Sequence, residues 1–421
     1  MRFFATCAKG TEGALRRELG ALRLHAVRGE HGGVSFEGKL EAGLAACLHS
    51  RCAMRVLLEV ARFPSGDATA LYDGARAVDW TAWLTTRTTL AVEATLRDSS
   101  LTHSGFAALK VKDAVVDALR DRLGARPDVD PKDPDVRLVL HVAGAEATLA
   151  LDLAGEPLHR RGYRAGMTPA PLKETLAAAV LSLGGVDRER PFIDPMCGSG
   201  TLAIEHALAA RRIAPGLGRA FGFQRWPVYR GALQSTWDRM KEEARRIALP
   251  AAPAPIVARD LFTKALDAAR RNAAAAGVLA DIRFERGDVR ELAPEPGMDA
   301  GAVCANPPYG ERLMGKPGAE ERGRVTGPRS PRGASPSARS RRENREEGAR
   351  HDDRREAHVS QLKLQGLYRG MAEALGQFHG WSVVLLSGSP LLEAAMHVKP
   401  EVSHRLWNGP LEVRLLRYHV R

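Results

Sequence analysis

At 421 residues the chain is too long for one small hydrophobic core, and two or three domains are expected. Lysines and arginines number 62 against 50 aspartates and glutamates, an excess that favours a polyanionic partner such as nucleic acid, although a coding bias toward arginine would also raise it. The five scattered cysteines form no C-x-x-C pair, which argues against a zinc site or a disulfide framework. No apolar run has the length of a signal peptide or membrane span, so we expect a soluble, cytoplasmic protein. Because the cysteines are scattered, we also expect it to bind no metal. The pattern carries no information on oligomeric state.

Two small α+β units are predicted in the N-terminal part of the chain. The first, residues 1–58, has a β-prone start in "RFFATCA", a helical pattern in "GTEGALRRELGAL" and a second strand in "GGVSFEG". The second, residues 59–164, contains the helical "FAALKVKDAVVDALRDRL" and then "VRLVLHVAGAEATLALDL". Alternation of apolar and polar residues in this last stretch is typical of a half-buried antiparallel pair.

Strands and helices alternate from residue 165 onward, which predicts βαβ units and a parallel sheet. The strand-like segments "PFIDPMC", "APIVARD", "DIRFERGD" and "DAGAVCANPPYG" are separated by segments with helical periodicity. Near the C-terminus, "WSVVLLSG" precedes "RLWNGPLEVRLLRYHV", in which Asn408-Gly409 is a hairpin turn signal. We therefore expect an antiparallel edge on an otherwise parallel, Rossmann-like α/β sheet.

A charged segment almost devoid of large apolar side chains interrupts this pattern at residues 315–358. Such a composition cannot bury enough surface to offset the entropy lost on ordering, which predicts a disordered insertion. A tolerated solvated loop and an RNA-contacting segment are both compatible with its mixed charge.

A glycine-containing loop follows the first strand of the α/β region. "FIDPMCGSGTLAIEHAL" places Asp194 at a strand end, then Gly198-Ser199-Gly200-Thr201, then a helix. Glycines in this context let a ligand approach the backbone, and the helix N-terminus favours an anionic group. The spacing also satisfies the relaxed dinucleotide-binding pattern, but the acid that NAD recognition requires about 20 residues further on is missing.

Three acidic residues at successive strand ends favour S-adenosylmethionine as the ligand. Asp194 is suited to the ammonium group of this cofactor, Asp260 to the ribose hydroxyls and Asp288 to the adenine amino group. Acids at strand ends also serve as helix N-caps, and Asp260 by itself is equally compatible with that structural role.

"NPPY" ends the fourth strand of this region at the edge of the sheet that faces ligands in open α/β folds. The Asn306 amide oxygen and the Pro307 carbonyl are suited to accept the two N–H bonds of a nucleobase amino group, and Tyr309 to stack on the base. Pro307 and Pro308 would hold these acceptors still. The alternative interpretation is a proline-rich turn with Tyr309 in the core.

Four segments together resemble the THUMP-containing class I RNA methyltransferases: "DPMCGSGT", "NPPYGERL", "LHRRGYR" with "APLKETLAAAVL", and "LWNGPLEVRLL". The similarity extends in particular to the bacterial enzymes that make N2-methylguanine in large-subunit (23S) ribosomal RNA, in the form without a second methyltransferase domain. It covers nearly the whole chain outside the charged insertion. The resemblance implies a ferredoxin-like domain (1–58), a THUMP RNA-binding domain (59–164) and a class I methyltransferase domain (165–421) with a seven-stranded, mostly parallel sheet.

The resemblance also implies roles for individual residues. The family's cofactor-binding positions correspond to Asp194, Pro195, Met196, Cys197, Gly198, Ser199, Gly200, Thr201, Asp260 and Asp288, with Lys173, Glu174 and Thr175 closing the pocket. Its catalytic tetrapeptide corresponds to Asn306, Pro307, Pro308 and Tyr309. Phosphate contacts are expected for Arg160, Arg161 and Arg164 near the domain junction, where a solvated turn is the alternative.

Three further functions stay open beside transfer to guanine N2 in ribosomal RNA. A tRNA guanine-N2 methyltransferase would carry the same motifs. A DNA adenine-N6 or cytosine-N4 methylase also uses an NPPY-type tetrapeptide, although the N-terminal half has no helix-turn-helix signal. A non-catalytic RNA-binding assembly factor would be expected to have lost Asp194, Gly198, Gly200 or Asn306, all of which are present.

Overall fold

Two seven-stranded sheets form the framework of the protein, seen in a computed structural model that describes residues 1–165, 172–309 and 361–421. The first sheet belongs to the N-terminal part and the second to the part that carries the glycine loop. The insertion predicted at 315–358 lies outside the described residues. In the described part of the chain, no helix combines the length and apolar character needed to cross a membrane.

The N-terminal sheet has the strand order β2-β3-β1-β4-β7-β6-β5. All neighbours pair antiparallel except β5 and β6, which pair parallel. Its strands are β1 (Arg2–Thr6), β2 (His25–Glu30), β3 (Gly33–Glu37), β4 (Arg55–Pro64), β5 (Leu90–Arg97), β6 (Val136–Ala143) and β7 (Glu146–Asp152). The helices of this part are α1 (Glu12–Ala21), α2 (Leu40–His49), α3 (Ala68–Arg76) and α4 (Ser104–Leu123).

The long strand β4 joins the two predicted N-terminal units. Its first half pairs with β1, and almost its whole length pairs with β7, from Leu57 opposite Asp152 to Pro64 opposite Glu146. The predicted boundary between residues 58 and 59 therefore falls inside a strand. The two α+β units share one sheet, and the division into three domains stays a prediction.

The second sheet has the order β10-β9-β8-β11-β12-β14-β13. Pairing is parallel from β10 to β12 and antiparallel at β14 and β13, so the predicted Rossmann-like sheet with a C-terminal hairpin is confirmed. Its strands are β8 (Phe192–Asp194), β9 (Ile256–Asp260), β10 (Ile282–Arg286), β11 (Ala302–Ala305), β12 (Ser382–Ser387), β13 (Val402–Asn408) and β14 (Leu411–His419). The accompanying helices are α5 (Glu174–Leu183), α6 (Thr201–Ala210), α7 (Ala232–Arg246), α8 (Thr263–Ala275), α9 (361–375) and α10 (Pro390–Ala395).

The central strands of this sheet are buried on both faces. All residues of β8, "FID", and of β11, "AVCA", are buried, as is usual for parallel strands covered on two sides. Side chains on one face of β8 contact α6, where the Phe192 and His206 rings stack with centroids 4.2 Å apart. This packing holds α6 against β8 and so fixes the position of the glycine loop that joins them.

A polar joint connects the two sheets. The Arg51 guanidinium donates to the carbonyl oxygens of Leu208, in the last turn of α6, and of Ile213, just beyond that helix. Arg161 in turn donates to the Arg51 carbonyl at 2.6 Å, and its Nε lies 3.5 Å from Glu205 Oε1. Because these groups are buried and hydrogen-bonded across the boundary, the N-terminal part is anchored to the helix that follows the glycine loop.

His206 gives this packing a dependence on pH. Its side chain is 1% exposed, and burial lowers its pKa from 6.5 to about 3. Below pH 6.5 the His206 imidazole is protonated in the unfolded chain but stays neutral in the folded protein. The free energy of unfolding therefore decreases as pH falls from 6.5 toward 3. We expect this residue to cost about 2 kcal/mol of unfolding free energy between pH 7.5 and 5.

Urea unfolding of the wild type and of His206→Phe at both pH values measures this term. The variant keeps an aromatic ring beside Phe192, and we expect its loss on acidification to be smaller by about 2 kcal/mol. Equal losses in the two proteins would contradict the assignment.

Candidate active site

The glycine loop turns sharply between β8 and α6. Gly198 and Gly200 have left-handed backbone conformations, with φ of 54° and 84°. A Cβ at Gly200 would lie 3.0 Å from the Ala269 Cβ, so the loop also packs closely against α8. Gly200 is the N-cap of α6, whose first-turn N–H groups form a site for an anionic ligand group.

Asp194, Asp260 and Asn306 lie at one edge of the sheet. In the parallel ladder, Phe192 of β8 is level with Ala302 of β11, and Asp194 is level with Ala258 of β9. The strand ends carrying the predicted ligand-binding groups are therefore neighbours. This is the edge at which ligands bind in open α/β sheets.

Asp194 is a buried carboxylate. It is 1% exposed, and its Oδ1 accepts from the Met196 N–H at 3.3 Å. Burial raises the pKa of Asp194 well above its ordinary value, the Met196 hydrogen bond lowers it, and the nearby Asp260 raises it further. A cationic ligand group beside Asp194 would favour the charged form and offset this desolvation.

Asp260 holds the glycine loop in place. One carboxylate oxygen accepts from the Gly198 N–H at 2.9 Å and the other from the Phe262 N–H at 2.9 Å. Asp260 therefore has a structural role, because it accepts hydrogen bonds from main-chain N–H groups after two strand ends. Each carboxylate oxygen has a second acceptor position, so the predicted contact with ribose hydroxyls stays a prediction.

Asp288 begins a short helical turn and is held by Arg290. Its Oδ1 accepts from the Arg290 main-chain N–H at 2.9 Å and from Nε at 3.0 Å. Hydrogen bonding by the Arg290 side chain lowers the pKa of Asp288. The predicted contact with an adenine amino group would have to share this carboxylate with the arginine.

The tetrapeptide predicted to be catalytic contains a buried acceptor. Asn306 follows β11, and its buried Oδ1 has no hydrogen-bond partner among the residues that the structure describes. Buried amide oxygens are almost always hydrogen-bonded, so an orphan at this edge marks a place where a ligand N–H would be stabilised. Two residues further on, the Pro308 carbonyl accepts a hydrogen bond of 2.6 Å from the Tyr368 hydroxyl on α9.

Tyr309 is a core residue in this arrangement. The side chain is 3% exposed, and its hydroxyl accepts from Asn408 Nδ2 at 2.8 Å. Its ring lies against Gly388, where a Cβ would come within 2.4 Å of the ring. The core packing weighed for Tyr309 is thus observed, and stacking on a base, which needs an open ring face, stays a prediction.

The start of α5 also contacts the glycine loop. Arg164 donates to Glu174 Oε1 at 3.0 Å and to Thr201 Oγ1 at 3.4 Å, linking α5 to the first residue of α6. Thr175 Oγ1 is buried and has no partner in residues 1–165, 172–309 or 361–421, whereas Lys173 is exposed. The three residues predicted to close the pocket therefore differ in their positions.

The structure corrects the expectation for two of the three arginines at the junction. Arg161 is 7% exposed and donates to the main-chain oxygens of Leu158 and Arg51. Arg164 is largely buried against Glu174. Neither guanidinium is positioned on the surface for a phosphate, because each is used inside the junction. Arg160 is exposed and pairs with Glu156.

Asn272 is a site residue that the sequence patterns did not predict. It is buried in α8, donates from Nδ2 to the Ser199 carbonyl at 3.0 Å and accepts from the Ala165 N–H at 3.0 Å. The amide therefore connects the glycine loop to the segment that arrives from the N-terminal part. A single amide within the Ala-rich "AARRNAAAAG" was the available signal.

An apolar hollow beside Asp260 was also missed. Leu261 and Phe262 are 46% and 68% exposed and line a hollow of about 520 Å³ with Arg286. Exposed apolar side chains that lie together beside the predicted ligand-binding edge are unusual on a surface that contacts only water. They provide a flat apolar surface adjoining the glycine loop.

Replacing Asn272 by leucine should destabilise the protein. The change keeps a similar volume but leaves the Ser199 carbonyl and the Ala165 N–H unpaired, at about 1–3 kcal/mol each. Urea unfolding measures the loss. Arg271→Leu, at the exposed neighbouring position of α8, is the matched control and should change stability by less than about 0.5 kcal/mol. Equal stability of both variants would refute the assigned role.

Three family models match successive parts of the chain. The RlmL ferredoxin-like domain family matches residues 2–57, the THUMP domain family matches 66–152, and the RMKL-like methyltransferase domain family matches 161–322. The ribosomal RNA large subunit methyltransferase K/L of Syntrophotalea carbinolica is 40% identical over 100% of this chain and 54% of its own length. The chain thus spans about half the length of the curated relatives it matches.

Solved structures share the fold over the whole chain. SMU.472, assigned as a methyltransferase and crystallised with SAH, has a TM-score of 0.80 at 26% identity, covering 100% of this chain and 98% of its own. A Listeria monocytogenes protein assigned as an N6-adenine-specific DNA methylase has a TM-score of 0.80 at 27% identity, with 100% and 96% covered. The chain thus matches the RlmL ferredoxin-like, THUMP and RMKL-like methyltransferase domain families in succession, and over its whole length it is similar to ribosomal RNA large subunit methyltransferases K/L.

Proposed function

We propose that the protein is an S-adenosylmethionine-dependent RNA methyltransferase that methylates the exocyclic N2 amino group of a guanine in large-subunit ribosomal RNA. The observation that carries the proposal is the buried Asn306 Oδ1, an acceptor without a partner within the described part of the chain, at the same sheet edge as the buried Asp194 carboxylate. One group is suited to an amino group and the other to a cation. The name of the S. carbinolica relative supports ribosomal RNA as the substrate class.

The residues at this edge fit S-adenosylmethionine. Asp194 would hold the ammonium group, and the N–H groups at the start of α6 would bind the carboxylate. Asp260 and Asp288 would accept from the ribose and adenine, and the apolar hollow at Leu261 and Phe262 would take a face of the adenine ring. The complex of SMU.472 with SAH supports this choice of cofactor.

When bound, S-adenosylmethionine supplies a methyl group on a positively charged sulfur. The residues of the chain need only position the acceptor nitrogen. Asn306 Oδ1 and the Pro307 carbonyl would accept its two N–H bonds, which concentrates electron density on nitrogen and directs its lone pair. The fixed φ angles of Pro307 and Pro308 keep these acceptors in place before the substrate arrives.

RNA is favoured over DNA by the N-terminal part of the chain. The THUMP match covers residues 66–152, and the resemblance assigns RNA binding to this module. The net charge of +12 suits a polyanion of either kind. A guanine in tRNA is the second candidate, because the tetrapeptide and glycine loop would serve it equally well.

Transfer of tritiated methyl groups to unmodified 23S rRNA, tRNA and DNA, followed by nucleoside analysis, tests the proposal. We expect N2-methylguanosine in the ribosomal RNA. Label in tRNA or DNA alone would replace the proposed substrate, and no label in any pool would refute the enzymatic function.

Asp194→Asn should abolish cofactor binding. The change keeps the shape of the side chain and removes the charge that would pair with the ammonium group, so we expect S-adenosylmethionine affinity to fall at least 100-fold in calorimetry. The matched control is Asp299→Asn, at an exposed position before β11, which should bind like the wild type. Wild-type affinity in Asp194→Asn would remove this residue from the cofactor site.

Asn306→Ala should separate binding from transfer. The truncated side chain no longer accepts from the substrate amino group, so we expect kcat to fall about 100- to 1,000-fold while cofactor affinity stays within twofold. Asn306→Asp, which keeps an acceptor oxygen, should retain more activity than the alanine variant. Single-turnover transfer to 23S rRNA and calorimetry give the two quantities, and full activity of Asn306→Ala would exclude the catalytic assignment.

A further inference from the structure

Asn408 is a strand residue that faces the interior. It ends β13, opposite Leu411, and the two-residue loop of the hairpin is Gly409-Pro410, with Gly409 at φ 64°. A left-handed glycine in the first loop position suits a hairpin turn and leaves Asn408 in the sheet. The side chain is 9% exposed, and its Nδ2 donates to the Tyr309 hydroxyl at 2.8 Å.

The strand that carries Asn408 is fixed from the N-terminal part of the chain. The Trp407 N–H donates to the Lys9 carbonyl at 3.1 Å, and Lys9 Nζ lies 4.0 Å from the centre of the Trp407 ring. Gly10, at φ 89°, lies so close to the Arg405 carbonyl that a Cβ would come within 2.1 Å of its oxygen. The loop between β1 and α1 therefore covers the edge of β13.

These contacts reach the proposed catalytic group through a short, stiff path. Tyr309 and Asn306 are separated by two prolines, whose φ angles are fixed, so a displacement of the tyrosine is passed to the asparagine. Gly388 and the Tyr368 hydrogen bond to Pro308 restrain the same segment from other directions. Asn408 restrains its far end.

We infer that Asn408 is a positioning residue for methyl transfer, acting through the Tyr309 hydroxyl, and that the β1–α1 loop sets its position by holding β13. The inference rests on the proposed function. It assigns the N-terminal part of the chain a second task besides binding RNA, which is to keep the acceptor Asn306 aligned.

A double-mutant cycle tests the inference on the full chain. Asn408→Leu removes the donor, and Tyr309→Phe removes the acceptor while keeping the ring. We expect each to lower kcat on 23S rRNA about tenfold with S-adenosylmethionine affinity within twofold of wild type, and the double variant to be no slower than the slower single variant. An unchanged kcat in Asn408→Leu, or effects that multiply in the double variant, would overturn the inference.

Asn408→Ala, which also removes the donor and adds no bulk, takes the place of Asn408→Leu should that variant not fold. A tenfold fall in its kcat supports the inference, and wild-type kcat overturns it. If the wild-type protein methylates no RNA or DNA, both the proposed function and this inference are refuted. An active wild type with an unaffected Asn408→Leu would refute the inference alone.

A pair of glycine variants tests the contribution of the β1–α1 loop. In Gly10→Ala the new methyl group would push against the Arg405 carbonyl, whereas in Gly13→Ala it would meet no atom within 4 Å. We expect kcat to fall several-fold in the first variant only, with RNA affinity unchanged in filter binding. A folded Gly10→Ala with wild-type kcat, or with a change in RNA affinity alone, overturns this part, and the Asn408 cycle decides if the variant does not fold.

Discussion

The parallel pairing of β8 between β9 and β11 is the constraint on which the candidate site depends. It brings three strand ends to one edge of the sheet, and with them Asp194, Asp260 and Asn306. A second negative charge near the buried Asp194 is unfavourable, and the half-buried Asp260 raises the pKa of Asp194. The hydrogen bonds from Gly198 and Phe262 hold Asp260 in this arrangement. The charged form of Asp194 is therefore destabilised at this place, and a cationic ligand would stabilise it.

Much of this architecture follows from the sequence, because its determinants are local. The order of apolar strands and helices predicts the parallel sheet, and a strand, a glycine turn and a helix in succession predict the loop after Asp194. The shared N-terminal sheet could not be predicted in this way, since β4 pairs with β7 across a large separation in the chain. A composition that reads as two units is compatible with one sheet or with two.

The parts of the site that the sequence did not reveal are those set by tertiary contacts. Arg161 and Arg164 look like surface charges in "HRRGYR", yet Glu205 and Glu174 draw them into the junction. Asn408 belongs to an obvious turn motif, but a shift of the loop by one residue makes it a strand residue that contacts Tyr309. Asn272 has no motif, because its two partners are remote in sequence. The sequence predicts the chemical character of each of these side chains. It does not predict where the side chain points, because that depends on contacts with residues remote in the chain.

The strand β4 also restricts how the protein can be divided. A fragment beginning after Pro64 would retain the THUMP match at 66–152 but lose the strand that pairs with β7. The exposed edge of β7, with the apolar Leu149 and Leu151, would then be open to pairing with another chain. A fragment ending at residue 57 would cut the same strand from the other side. Neither match boundary is therefore a suitable place to separate the part with the THUMP match, and a stable fragment would have to include the whole sheet from β1 to β7.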